Sequence, residues 1–107
     1  MKPTLPLSLL MVFLMSACAT HSYRIQGNEV TLLLRRPDAK SVALLASLDG
    51  FELRPADRVS ETWEVTLPAD RTFRYFYRVD GKIVVPDCPM KERDEFGSEN
   101  CIFDPRL

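Results

Sequence analysis

The chain has 107 residues, with 14 Lys and Arg against 15 Asp and Glu, one His and three Cys. That length bounds it to one domain with one modest core. The net charge of −1, with basic residues scattered beside acidic ones, excludes the electrostatic footprint of a nucleic-acid binder and a basic amphipathic membrane helix.

In chain order, Lys2 precedes an apolar run from Leu5 to Met15, interrupted only by Pro6 and Ser8. The run is far short of the roughly 20 residues that a membrane span needs. Small residues follow, in Met15-Ser16-Ala17-Cys18. This layout predicts a secretory signal peptide over residues 1–17. The small residues before a cysteine resemble the lipobox of bacterial lipoproteins, with Met15 where leucine is usual. That resemblance implies acylation of Cys18 and a domain held at the bacterial cell envelope through a lipid anchor on Cys18. Ala19, in place of aspartate, implies sorting to the outer membrane, facing the periplasm. An ordinary signal cut near Ala17 is the plainer alternative.

Residues 18–27 read as a polar tether that carries the only histidine, His21. The domain proper is expected over 28–107. Val30, Leu32 and Leu34 alternate with Thr31, Leu33 and Arg35, and Val42, Leu44 and Ala46 repeat the pattern. Ala39 to Leu48 is the one segment that could rival as helix, but Pro37-Asp38 before it and the strands around it favour a strand. Trp63, Val65 and Leu67 alternate with Glu64 and Thr66. Tyr75, Tyr77 and Val79 alternate with Arg74, Phe76 and Arg78. Period two with β-branched and aromatic residues predicts half-buried antiparallel strands. Asp80-Gly81, between Phe73–Val79 and Lys82–Val85, supplies the two positive φ angles of a type I′ hairpin turn. No run carries helical periodicity. About seven short strands without crossover helices predict an all-β sandwich.

Cys88 and Cys101 remain once Cys18 is assigned to lipid. In an oxidising compartment such a pair is most economically a disulfide. A metal pair is the alternative, with His21 far off in sequence and zinc wanting four ligands.

The order of motifs resembles the glycogen-binding type of carbohydrate-binding module, family 48, found in isoamylases, branching enzymes and the β subunit of AMP-activated kinase. The matching segments are Val30-Thr31-Leu32 with Pro37 to Val42, Leu48 to Phe51, Trp63 to Pro68, Tyr75 to Gly81, Pro86-Asp87 and Phe96 to Asn100. The resemblance implies an immunoglobulin-like early-set sandwich. It also implies a glucan site in which flat aromatic rings stack on sugar and polar groups fix its orientation. At the family's two tryptophan positions this chain has Phe51 and Ile83, and at its lysine position Phe76. Phe96, Ser98 and Asn100 match its far side. With Ile83 unable to stack, glucan binding is expected to be weak.

Phe76 alternates outward between Arg74 and Arg78. A neighbouring loop or the tether covers it, or the three residues form a contact surface of the aromatic-and-arginine kind that is enriched at protein interfaces. The candidate face is thus Phe51, Arg74, Phe76, Arg78, Ile83, Phe96, Ser98 and Asn100. Asp87, Glu92, Asp94, Glu95 and Glu99 gather near the cysteine loop. A paired-carboxylate glycosidase or a calcium site is conceivable from them, but such runs are usually solvated. There is no nucleophile motif, glycine-rich phosphate loop or second histidine, so no catalytic residue, metal or cofactor is expected. The expectation is a non-catalytic envelope lipoprotein acting as a protein-interaction or accessory module, with a module for an α-glucan or envelope polysaccharide as the alternative.

Overall fold

A computed structural model describes residues 20–107. The signal segment and Cys18 lie outside the described residues. Ten strands follow in order: β1 (His21–Gln26), β2 (Glu29–Arg35), β3 (Val42–Ala46), β4 (Leu53–Pro55), β5 (Asp57–Val59), β6 (Thr62–Pro68), β7 (Phe73–Val79), β8 (Lys82–Val84), β9 (Lys91–Arg93) and β10 (Glu99–Phe103). The only helical element among the described residues is a 3-10 turn at Ser47–Asp49.

The strands form two antiparallel sheets. One has the order β1-β2-β6-β5; the other runs β4-β3-β7-β10-β9. β8 pairs with the C-terminal half of β7, and β10 with its N-terminal half. The chain changes sheet between β2 and β3, between β4 and β5, and between β6 and β7. That arrangement is the immunoglobulin-like sandwich. The strands exceed the expected seven because of β1 and of three-residue strands too short to show a period.

The core is built from the alternation read in the sequence. Val30, Leu32 and Leu34 from β2 and Trp63, Val65 and Leu67 from β6 are buried against Leu44, Ala46, Phe73, Tyr75, Tyr77 and Phe103 of the opposite sheet. Burying a large side chain of this kind contributes about 1.5–3 kcal/mol. The Trp63 indole N–H donates to the Arg36 carbonyl at 3.0 Å, so its one polar atom is satisfied. Arg58 braces the same loop. Its guanidinium donates to the carbonyls of Pro37 at 2.7 Å and Ala39 at 3.1 Å, and its Cζ lies 5.3 Å from the Trp63 ring centroid.

Asp80 and Gly81 have φ of 48° and 82°, as the type I′ turn requires. The Asp80 carboxylate accepts from the backbone N–H groups of Lys40 at 2.8 Å and Ser41 at 2.9 Å, which ties the turn to the start of β3. Those two hydrogen bonds hold its pKa below the ordinary carboxylate value.

The segment expected as a tether is instead largely β1. It pairs along its whole length with β2, from His21 opposite Leu34 to Gln26 opposite Glu29. Gly27, at φ 61°, opens a two-residue Gly-Asn hairpin loop. His21 therefore belongs to the fold. Its Nε2 lies 3.0 Å from the Tyr77 hydroxyl, and its ring sits 5.8 Å from Tyr75 and 5.5 Å from Tyr77. Burial lowers its pKa to about 4, so the imidazole is neutral at neutral pH.

Cys88 and Cys101 form a disulfide, with their Cα atoms 6.0 Å apart. Cys101 faces the core from β10, and Cys88 lies on the segment between β8 and β9. The bond fastens that segment, which has little regular structure, to the sheet.

Candidate functional site

The outer face of the β4-β3-β7-β10-β9 sheet collects nearly all the residues singled out above. Arg74, Phe76 and Arg78 alternate outward along β7, while Tyr75, Tyr77 and Val79 point into the core. Ile83 is the cross-strand partner of Arg78, so it shares that face. Leu45 is opposite Phe76 on one side and opposite Leu53 on the other, which adds Leu53. Ile83 is 62% exposed and Leu53 51%.

Phe51 reaches this face by a strained route. After the 3-10 turn, Gly50 and Phe51 both take positive φ, 77° and 63°. An aromatic residue in the left-handed region is uncommon and costs about 1–3 kcal/mol. The turn is held by Phe51 N–H donating to Ala46 O at 2.9 Å and by Glu52 N–H donating to Asp49 at 3.1 Å. Asp49 also pairs with Arg54 at 2.9 Å. The result is a Phe51 ring stacked on Phe76, with centroids 5.8 Å apart and planes 22° from parallel. The loop that carries Phe51 thus partly covers Phe76, and both rings stay part-exposed.

Beside Phe51 lies a shallow hollow of about 330 Å³, bounded by Arg74, Glu92, Asp94, Glu95, Phe96 and Asn100. Asn100 is only 9% exposed. Its side-chain amide has no hydrogen-bond partner among the described residues, and a buried amide without one is costly. Phe96 stands on the opposite rim, 86% exposed. Asp94 fixes it there. One carboxylate oxygen accepts from Phe96 N–H at 2.9 Å and from Ser98 N–H at 3.0 Å, and Asp94 N–H donates to Ser98 O at 2.8 Å. Gly97, at φ 87°, completes the turn. Ser98 thus takes part through its backbone. The ring is presented by a built turn, as is usual for Asp and Gly in such loops.

Two of the acidic residues here form ion pairs. Glu92 pairs with Arg74 at 3.2 Å and Glu99 with Arg93 at 3.4 Å. Among the described residues, no group of three His, Cys, Asp or Glu side chains could hold a metal ion. Arg78 and Ile83 stand away from the hollow. Arg78 lines a second depression with Ala43, Leu53 and Pro55. Leu53 is absent from the candidate face expected from the sequence, and Asp94 is placed there in an acidic cluster rather than as the brace of the Phe96 turn. Leu53 alternates with Phe51, and Asp94 begins an Asp-x-x-Gly turn, so both carried a signal.

No protein-family model matches the chain, and no curated protein matches it.

Proposed function

We propose that this protein is a non-catalytic module of the bacterial cell envelope, anchored by lipid on Cys18, that binds a partner protein through the outer face of its larger sheet. One observation carries the reading: exposed Leu53, Ile83 and Phe96 share that face with Arg74 and Arg78. An exposed phenylalanine beside arginines matches the residue types enriched at interfaces, and uncovered Leu53 and Ile83 extend its apolar surface. The braced Phe96 turn adds pre-organisation, since little ordering remains to be done on contact.

The test is capture from envelope extracts with the purified protein, followed by quantitative binding to the captured partner. Phe96→Ala should weaken that binding about tenfold or more while the fold is retained, as for an interface anchor. Unchanged binding in Phe96→Ala and in Ile83→Asp would overturn the reading. Labelling with a fatty acid tests the anchor: wild type should take up label and Cys18→Ala should not.

A second reading, an α-glucan module of the family-48 kind, is favoured by the unpartnered Asn100 amide beside the part-exposed ring of Phe51. A sugar hydroxyl would satisfy that amide. With Ile83 unable to stack and Phe76 partly covered by Phe51, binding should be weak. Calorimetry with maltoheptaose decides it, and tight binding lost in Phe51→Ala would put the glucan reading first.

A further inference from the structure

Strand β1 leaves one backbone edge open. Arg35 N–H donates to Thr20 O at 2.9 Å, and the β1–β2 register runs from that end to the Gly27-Asn28 loop. In an antiparallel ladder, hydrogen-bonded and non-hydrogen-bonded pairs alternate. Ser22, Arg24 and Gln26 therefore direct their backbone groups to β2. The N–H and C=O groups of His21, Tyr23 and Ile25 point the other way, where no described strand borders β1. The edge has few of the devices that discourage pairing: β1 holds no proline, and its register with β2 is unbroken. Its single charge, Arg24, leans toward Glu64 at 3.4 Å on the far face of the sheet. Tyr23 and Ile25 are exposed on the core-facing side. A groove of about 330 Å³ adjoins Tyr23, walled by Pro89, Met90, Ile102 and Phe103.

We propose that this edge binds a second copy of the chain, the two β1 strands pairing antiparallel about a two-fold axis at Tyr23. The contact lies on the smaller sheet, so it stands apart from the partner face proposed above. The register argues for a copy over an unrelated strand. With Tyr23 opposite Tyr23 of the second copy, His21 falls opposite Ile25, and all three outward-pointing residues of each strand exchange both backbone hydrogen bonds. On the other face Ser22 falls opposite Arg24, so no like charges meet. Sliding two residues toward the hairpin sets Arg24 against Arg24 and gives up one of the three hydrogen-bonded pairs. Sliding the other way also gives up a pair. The core-facing side chains of the incoming strand are then His21, Tyr23 and Ile25, of which Tyr23 and Ile25 are of a kind suited to the apolar groove beside Tyr23. A net charge of −1 per chain adds little long-range repulsion. A closed, self-complementary contact of this type gives a dimer rather than a fibre.

The experiment is sedimentation of the full-length protein in density-matched detergent, with cysteine cross-linking across the edge. Wild type is expected to sediment as a concentration-dependent dimer. Tyr23→Cys is expected to cross-link to its own copy more than Arg24→Cys does, because position 23 lies on the axis. Tyr23→Pro removes an N–H that β2 does not use, so it should abolish the dimer and leave the monomer folded. Ile25→Pro makes the same test should Tyr23→Pro fail to fold. A wild type that stays monomeric at its highest soluble concentration would overturn the proposal. So would a dimer that survives a folded proline variant, or cross-linking that favours Arg24→Cys.

Discussion

Phe51 and His21 show how single side chains record their surroundings. At most positions glycine is less stable than alanine by roughly 0.5–1 kcal/mol, because it gives up more backbone freedom on folding. At position 51, with φ at 63°, the order should reverse. Both Phe51→Gly and Phe51→Ala lose the stack on Phe76, but only alanine keeps the left-handed penalty. Denaturant unfolding should find the glycine variant more stable by about 1 kcal/mol. The usual order would show that the Phe51 backbone is not under strain. His21 makes a pH-dependent contribution. Burial lowers its pKa in the folded state to about 4, against 6.5 unfolded. Between those values the unfolded chain binds the extra proton, so stability falls as pH drops from about 6.5 toward 4. Its partial exposure limits the loss to about 1–2 kcal/mol. In His21→Gln, stability measured between pH 6.5 and 4 should decline less steeply than in wild type, and equal slopes would assign the effect to other groups.

At the level of elements, the disulfide makes the sharpest prediction. The segment from Pro86 to Met90 contains no strand, and β9 has only three residues, so their place beside β10 depends on Cys88–Cys101. Closing a loop of sequence separation 13 is worth about 3 kcal/mol in the chain-entropy model. Cys88→Ala with Cys101→Ala should lower stability by about that amount. Amide exchange should speed up most in β9 and in the turn that holds Phe96, and a uniform acceleration would mean that the bond braces the whole sheet. The long strands β2, β6 and β7 were legible because each buries chiefly one face, which imposes period two on seven residues; β3, buried on both faces, kept the rhythm through Val42, Leu44 and Ala46. The Asp80-Gly81 hairpin was legible because few pairs tolerate two positive φ angles. β1 was missed although His21-Ser22-Tyr23-Arg24-Ile25-Gln26 alternates and a Gly-Asn loop follows it. Its inward positions are His21, Tyr23 and Ile25 at an open margin, two of them polar and two of them exposed, so the segment resembled a tether. The stack of Phe51 on Phe76 was beyond reach, since it depends on where the loop after β3 turns back.

Across the whole molecule, the outward residues of β7 could be gathered onto one face from alternation alone. That Phe96 and Asn100 would bound a common hollow with Phe51 could not, because β10 reaches β7 only after the excursion through β8 and β9. The crossing from β4 to β5 has a dynamic consequence. Pro55 ends a strand of one sheet and Asp57 begins a strand of the other, so the chain passes between sheets at Ala56 alone, whose N–H donates to Val42 O at 2.9 Å. That margin acts as a spine of fixed spacing. At the opposite margin no described segment passes between β1 and β9. There the layers meet only through side chains, among them Tyr23 edge-on to Phe103 at 5.8 Å. Breathing of the sandwich should then resemble a book opening away from its spine, with an amplitude that grows toward β1. Aromatic ring flips measure it directly: Phe103, near the open margin, should flip faster in NMR line-shape analysis than Tyr77, sealed in the middle. Equal rates would mean that the two layers are clamped as firmly by side chains as by the chain itself.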